Sequence, residues 1–242
     1  MNAPLIKRPF DVDAIRADFQ ILQREVHGRP LIYFDNAASA QKPEAVIEAM
    51  AAQMRGAYAN VHRGLHALAN ETTEAFEAAR HTVARFINAP TPDSVIFTKG
   101  GTHAINIVAA GLEVNPGDEI IVSVMEHHSN IVPWHFLRER KGAVLKWLDV
   151  DDDGGIDLAA LDALIGPRTK MLALTHMSNV LGAKTPAAEV VRIAHAKGVP
   201  VMLDGCQAVV HGHVDVRALD VDFYAFTGHK LYGPTGIGTV YA

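Results

Sequence analysis

Lys230 follows a hydroxyl (Thr227), a glycine and an imidazole (His229), and precedes the Gly233-Pro234 turn, with apolar residues on either side. A solvated surface lysine has no use for that setting. Desolvation and a neighbouring cation favour the neutral amine, which is the form that attacks a carbonyl. Twenty-six residues earlier the apolar run Val199 to Leu203 ends in Asp204-Gly-Cys-Gln207. The two signals suggest a carboxylate and an amine brought to one cofactor ring.

Each candidate also has a plainer reading. Lys230 could lay its stem along the surface with its ammonium in water, although the Thr-Gly-His and Tyr-Gly-Pro flanks speak against that. Asp204 could cap the turn that follows it, or its carboxylate could face a protonated ring nitrogen and keep the ring an electron sink. Gln207 could donate to a ring oxygen, His127 could lie over the ring face, and Asn179 could reach the ring's oxygen edge. Gly100-Gly101-Thr102 comes between a strand and a helix, where glycines, free amides and the helix dipole suit a phosphate; it could equally be an ordinary loop and helix cap. Thr227 and His229 could contribute to the same anion. Cys206 reads as a small buried filler rather than a nucleophile. His62 and Arg63 lie in a loop, and nothing local decides between capping, surface charge and function. Neither His211-Gly-His213 nor Glu126-His127-His128 has a third and fourth ligand at motif spacing, so no metal site is expected.

These side chains need a scaffold that gathers them. Helical periodicity runs over Val12 to Val26, ended by His27-Gly-Arg-Pro30, with a short strand expected over Leu31 to Phe34. Helices are then expected over Glu44 to Met54, Thr72 to Phe86, Thr102 to Leu112, Ile131 to Arg140, Leu158 to Ile165 and Ala187 to Lys197. Strands are expected over Val95 to Phe97, Glu119 to Val124, Val144 to Leu148, Lys170 to Leu174, Val199 to Leu203, Phe223 to Phe226 and Ile237 to Tyr241. The alternation predicts an α/β fold with a mostly parallel sheet and helices on both faces. Residues 1–30 would form an N-terminal helical segment and residues 31–242 the main domain. In such sheets ligands bind beyond the carboxyl ends of the strands. Five expected strand ends carry polar groups, at Thr98–Thr102, Met125–His128, Thr175–Asn179, Asp204–Gln207 and Thr227–Lys230, and they should meet along one edge.

Composition narrows the field. With 49% hydrophobic and 20% charged residues and a formal charge of -5, nothing points to nucleic-acid or membrane partners. A single cysteine forbids an internal disulfide and favours a reducing, cytoplasmic home.

The same residues carry a family resemblance. Tyr33-Phe-Asp-Asn-Ala-Ala-Ser-Ala-Gln-Lys-Pro43, Val61-His-Arg-Gly-Leu-His66, Phe97-Thr-Lys-Gly-Gly-Thr102, Glu126-His-His-Ser-Asn-Ile-Val-Pro-Trp134, Thr175-His-Met-Ser-Asn-Val-Leu-Gly182, Asp204-Gly-Cys-Gln-Ala208 and the Lys230 segment resemble the SufS-type cysteine desulfurases. These are pyridoxal 5'-phosphate (PLP) enzymes of fold type I in the class V aminotransferase superfamily. The resemblance implies Lys230 as the Schiff-base lysine, Asp204 at the pyridine nitrogen, Gln207 at the phenolate oxygen and His127 stacked on the ring. It places Gly101, Thr102, Thr227 and His229 at the phosphate, Asn179 near the ring, and His62 and Arg63 on the substrate side. It further implies a homodimer that takes sulfur from L-cysteine, leaves L-alanine and passes a persulfide to an acceptor protein of iron–sulfur assembly.

Two positions depart from the pattern: Gly101 stands where a threonine is common, and Cys206 where alanine is usual. The resemblance covers the amino-terminal half to three fifths of such enzymes, a large domain truncated before the small carboxyl-terminal one. The nucleophilic cysteine and a substrate-clamping arginine are expected in the missing part, so the 242 residues alone are expected to bind PLP weakly and lack turnover. The alternatives are selenocysteine lyase, another class V aminotransferase, or an inactive cofactor-binding or dimerising fragment.

Overall fold

The computed structural model describes residues 10–242. Nine strands are described: β1 (Glu25–Val26), β2 (Arg29–Pro30), β3 (Val95–Thr98), β4 (Glu119–Ser123), β5 (Val144–Leu148), β6 (Thr169–Thr175), β7 (Val201–Asp204), β8 (Phe223–Thr227) and β9 (Gly238–Tyr241). The last seven form one sheet in the order β3-β9-β8-β7-β6-β4-β5. The pairs from β8 through β7, β6 and β4 to β5 are parallel, whereas β9 runs antiparallel to both its neighbours. β3 therefore points the same way as β8, and the carboxyl ends of six strands share one edge.

Period-two alternation sends neighbouring side chains to opposite faces, and both faces are dry. In β6, Leu172 and Leu174 enter one core with Val190 and Val191, while Met171 and Ala173 enter the other with Ile105 and Trp134. A strand covered on both sides must be apolar at every position, which is why these strands read as unbroken hydrophobic runs. Eight further helices follow α1 (Val12–Ala17): α2 (Glu44–Gly56), α3 (Ala67–Phe86), α4 (Gly101–Gly111), α5 (Val132–Lys141), α6 (Leu158–Leu164), α7 (Ala187–His195), α8 (Ala208–His211) and α9 (Val216–Leu219). Helices α4 and α5 supply the second core, and α6 and α7 the first.

Three expectations need correction. The helix expected over Val12 to Val26 ends at Ala17, because Phe19 turns extended and sets its ring 6.0 Å from Tyr232. That tertiary contact overrides the local periodicity. The His27-Gly28 stop is instead the tip of a hairpin, both residues at positive φ, joining β1 to β2. Leu31 to Phe34 is not a strand: Ile32 and Phe34 are 75% and 93% exposed and pair with no sheet edge among the described residues. Finally, α3 begins at Ala67 rather than Thr72, since His66 caps it by accepting the Ala69 amide. Of the segment 1–30, the first nine residues lie outside those described, and the rest holds a six-residue α-helix, a single 3-10 turn at Gln20–Gln23 and the β1–β2 hairpin.

Candidate active site

The shared edge opens into a cavity of about 860 Å³. All five polar strand ends reach it, and its lining includes Gly101, Thr102, His127, Asn179, Asp204, Gln207, Thr227, His229 and Lys230. Size and lining suit a cofactor or small substrate. His62 and Arg63 do not line it. The His62 imidazole lies 2.7 Å from Glu77 and edge-on to Phe76, both on α3, and local packing on that helix accounts for its placement.

Asp204 and Lys230 come from the ends of adjacent parallel strands. Asp204 closes β7, 4% exposed, and accepts the Cys206 amide at 3.0 Å. Lys230 stands three residues past β8, half-buried, and forms no ion pair with a described carboxylate. Between them on the sheet edge sits Cys206, whose thiol is pushed well up by burial and then by the Asp204 charge. That shift favours the protonated thiol, the less reactive form.

Against the same turn, α4 starts at Gly101 with no side chain capping its first amides. An eleven-residue helix with open N–H groups facing a polar cavity attracts an anion through both hydrogen bonding and its dipole. A β-carbon built on Gly101 would approach the Cys206 sulfur to 2.6 Å, so the bare backbone is required there. Thr102 continues the first turn, and Thr227 flanks Gly100 from β8.

The imidazoles are held as neutral rings. Desolvation, then the Lys230 charge, lowers the pKa of His127, even though its ring is open to the cavity. The Ser129 amide donates to His127 Nδ1 at 3.1 Å, so the remaining proton sits on Nε2. His229 is likewise lowered, first by desolvation and then by Lys230 and Lys42. Its carbonyl accepts the Ala40 amide at 3.1 Å and the Lys42 ammonium at 2.9 Å, and its Nδ1 lies 3.3 Å from the Ser39 hydroxyl. Gln207 donates to the Ala37 carbonyl at 2.8 Å. Residues 37–42 are thus stitched to His229 and Gln207, and Asp35, Ala37 and Ala38 wall one side of the cavity. Half of Gln207's donor capacity is spent there, which leaves one N–H for a ligand.

Sequence reasoning passed over Lys42 and Ser129, and weighed Glu126 only as a possible metal ligand beside His127 and His128. Glu126 is 8% exposed behind the cavity and accepts from Thr175 N at 2.8 Å and Asn130 Nδ2 at 2.7 Å, with Ser123 Oγ at 2.5 Å. Desolvation raises its pKa to about 7 against those hydrogen bonds. The available signal was the spacing Glu126, Asn130, Trp134, four residues apart, where a charged residue directly follows an apolar strand. Among the described residues no three His, Cys, Asp or Glu side chains group closely enough to hold a metal, and no helix is long and apolar enough to cross a membrane.

Known proteins resemble this arrangement over nearly its whole length. A cysteine desulfurase of Cronobacter sakazakii is 52% identical over 236 residues, covering 96% of this chain and 58% of the relative. A cysteine desulfurase of Salmonella typhimurium is 53% identical over 235 residues with the same coverage. Among solved structures, a cysteine desulfurase of Escherichia coli in its S-sulfonic acid form superposes with a TM-score of 0.82 at 43% identity, covering 97% of this chain and 58% of that one. The apo cysteine desulfurase of Thermococcus onnurineus gives 0.83 at 39% identity, over 87% of this chain and 53% of that one. The chain thus spans a little under three fifths of the length of the curated relatives it matches, and its sheet is that of a fold type I large domain. The family model for aminotransferase class-V matches residues 32–242, and the chain belongs to the class V aminotransferase family.

Proposed function

We propose that the protein is a PLP-dependent cysteine desulfurase that removes sulfur from L-cysteine and leaves L-alanine. The observation that carries this reading is the shared cavity: Asp204 and Lys230, from neighbouring strand ends, line it together with the uncapped start of α4.

The donor set fits the cofactor. Open amides at Gly101 and Thr102, with Thr227 and His229, match a phosphate. Asp204 offers a buried carboxylate for a protonated ring nitrogen, and the free N–H of Gln207 and the amide of Asn179 suit the ring's oxygen. His127, neutral because desolvation and Lys230 disfavour its cation, can lie flat on an aromatic face. When bound, PLP supplies an electron sink conjugated to the substrate's α-carbon. Lys230, with no described carboxylate pairing its amine, would hold the cofactor's aldehyde, and the same amine would serve as the base for a proton on the substrate's α-carbon.

In this reading a cysteine thiolate from the part of the relatives beyond the matched span takes the substrate's sulfur as a persulfide. The persulfide goes on to an acceptor of the iron–sulfur assembly machinery. Homodimer formation and a cytoplasmic home belong to the same proposal. The exposed Phe34, Tyr58 and Leu65 support the dimer, and the single cysteine supports the reducing compartment.

Alanine release tests the proposal. Protein expressed from its complete reading frame, loaded with PLP and given L-cysteine and a thiol reductant, should form alanine and sulfide in equal amounts, and Lys230→Ala should form neither. No alanine from wild-type protein would defeat the reading. A strong preference for L-selenocysteine would move it to selenocysteine lyase.

A further inference from the structure

Glu126 is one residue from His127, buried, and bound by three different elements. Its Oε1 accepts the Thr175 amide at 2.8 Å, from the last residue of β6, and lies 2.5 Å from the Ser123 hydroxyl, from the last residue of β4. Its Oε2 accepts Asn130 Nδ2 at 2.7 Å. The Asn130 amide orientation is fixed independently. Trp134 Nε1–H, which can only donate, gives its proton to Asn130 Oδ1 at 3.0 Å, so Nδ2 must face Glu126. Trp134 is itself fully buried in the core under α5. Asn130 also closes the turn from the other side, its backbone amide donating to the His127 carbonyl at 2.8 Å. His127 is therefore held between Glu126 and Asn130 in the network.

We propose that Glu126 is a positioning residue for the cavity: its carboxyl locks the turn that presents His127 and ties that turn to Thr175, where the Asn179 loop begins. A buried carboxyl is an expensive way to join two strands, and an apolar contact would do so more cheaply. What the carboxyl adds is direction. Two obligatory donors, Thr175 N–H and Asn130 Nδ2, converge on it from fixed positions, and a carboxyl satisfies them in one geometry only. Ser123 is the one partner able to reverse, accepting a proton from the carboxyl or donating to it. The role of Glu126 in cofactor binding rests on the proposed function above; its role in holding the His127 ring does not.

The donor pattern supplies a stringent test. Glu126→Gln keeps the shape, but its amide can present oxygen to Thr175 only by turning its NH₂ toward Asn130 Nδ2, donor against donor. Flipping Asn130 would only move the conflict to Trp134. Adding Asn130→Asp repairs the pattern: the new carboxylate accepts from the introduced amide and from Trp134, and the charge has simply moved one link along. In protein expressed from the complete reading frame, E126Q should shift the His127 imidazole signals in ¹⁵N-edited spectra, assigned by their loss in His127→Gln. It should also weaken PLP binding about tenfold, the worth of one charge-assisted hydrogen bond. The E126Q/N130D variant should recover both.

If E126Q lowers the thermal midpoint while the His127 signals and PLP affinity stay at wild-type values, the network is merely structural and the inference fails. It fails too if the double variant does not recover, or if E126Q is unfolded and the double variant is no better. Should wild-type protein not bind PLP, the proposed function falls, and the His127 spectra alone still decide whether Glu126 positions the ring.

Discussion

Gly101 and Cys206 fill each other's space. A β-carbon on Gly101 would lie 2.6 Å from the Cys206 sulfur, closer than any real contact of that kind. The two positions read from the sequence as departures, Gly101 and Cys206, thus share one volume between the start of α4 and the turn after β7. Position 101 offers the cavity an amide and no hydroxyl.

The shared volume makes a double-mutant prediction. Gly101→Thr alone overpacks the turn and should cost about 1–3 kcal/mol, whereas in Cys206→Ala the same substitution should be tolerated, with a coupling of at least ~1 kcal/mol in chemical denaturation. Independent, additive effects would show that the two side chains do not compete. Unmodified Cys206 should also resist alkylation in the native state, since burial and Asp204 keep its thiol protonated.

Gly205 has no room for a side chain either. Its β-carbon would meet the Tyr224 ring at 2.1 to 2.3 Å, and that ring is fully buried with its hydroxyl 3.0 Å from His176 Nδ1. Gly205→Ala must expel Tyr224 from the core and should destabilise the fold by about 3 kcal/mol or more. A denaturation midpoint equal to wild type would contradict this packing.

Glu126 gives the protein a pH dependence of definite sign. Its pKa is about 7 in the folded state against a reference of 4.5. Between those values the folded state holds a proton that the unfolded chain has released. The stability owed to Glu126 is therefore complete below pH 4.5 and is lost as pH rises through 7, by on the order of 3 kcal/mol. Burial is the main cause, with the Asp204 charge adding to it. Unfolding free energies of wild type and Glu126→Gln, measured from about pH 5 to 8 to span that window, should converge or cross as pH rises, the wild type losing ground. A difference that stays flat would place the Glu126 titration elsewhere.

Much of this was legible in the chain itself, for a physical reason. Strands dry on both faces must be apolar throughout, so β4, β6, β7 and β8 could be read as runs, and the polar residue ending each run marks the cavity edge. Direction was less legible. β9 follows β8 after a short loop and pairs with it antiparallel, and nothing in Gly238 to Tyr241 distinguishes that from a parallel return. The N-terminal periodicity misleads because Phe19 satisfies a helical period equally well as a contact to Tyr232, more than two hundred residues away. The hydrogen-bond role of Glu126 was not legible, only its place in a possible metal cluster, because one of its fixed donors, Thr175, is 49 residues off and becomes a neighbour only when β6 pairs with β4. For His62 and Arg63 no local pattern existed, and the cavity lining does not include them.

The central claim is that Lys230 and Asp204 serve one cofactor, and two lysines make it directly measurable, because Lys99 lines the same cavity. PLP added to the protein and fixed with borohydride should leave a single pyridoxyl label, on the peptide carrying Lys230. The label should be absent in Lys230→Ala and sharply reduced in Asp204→Ala. A label on Lys99, or one whose yield is indifferent to Asp204, would contradict the account.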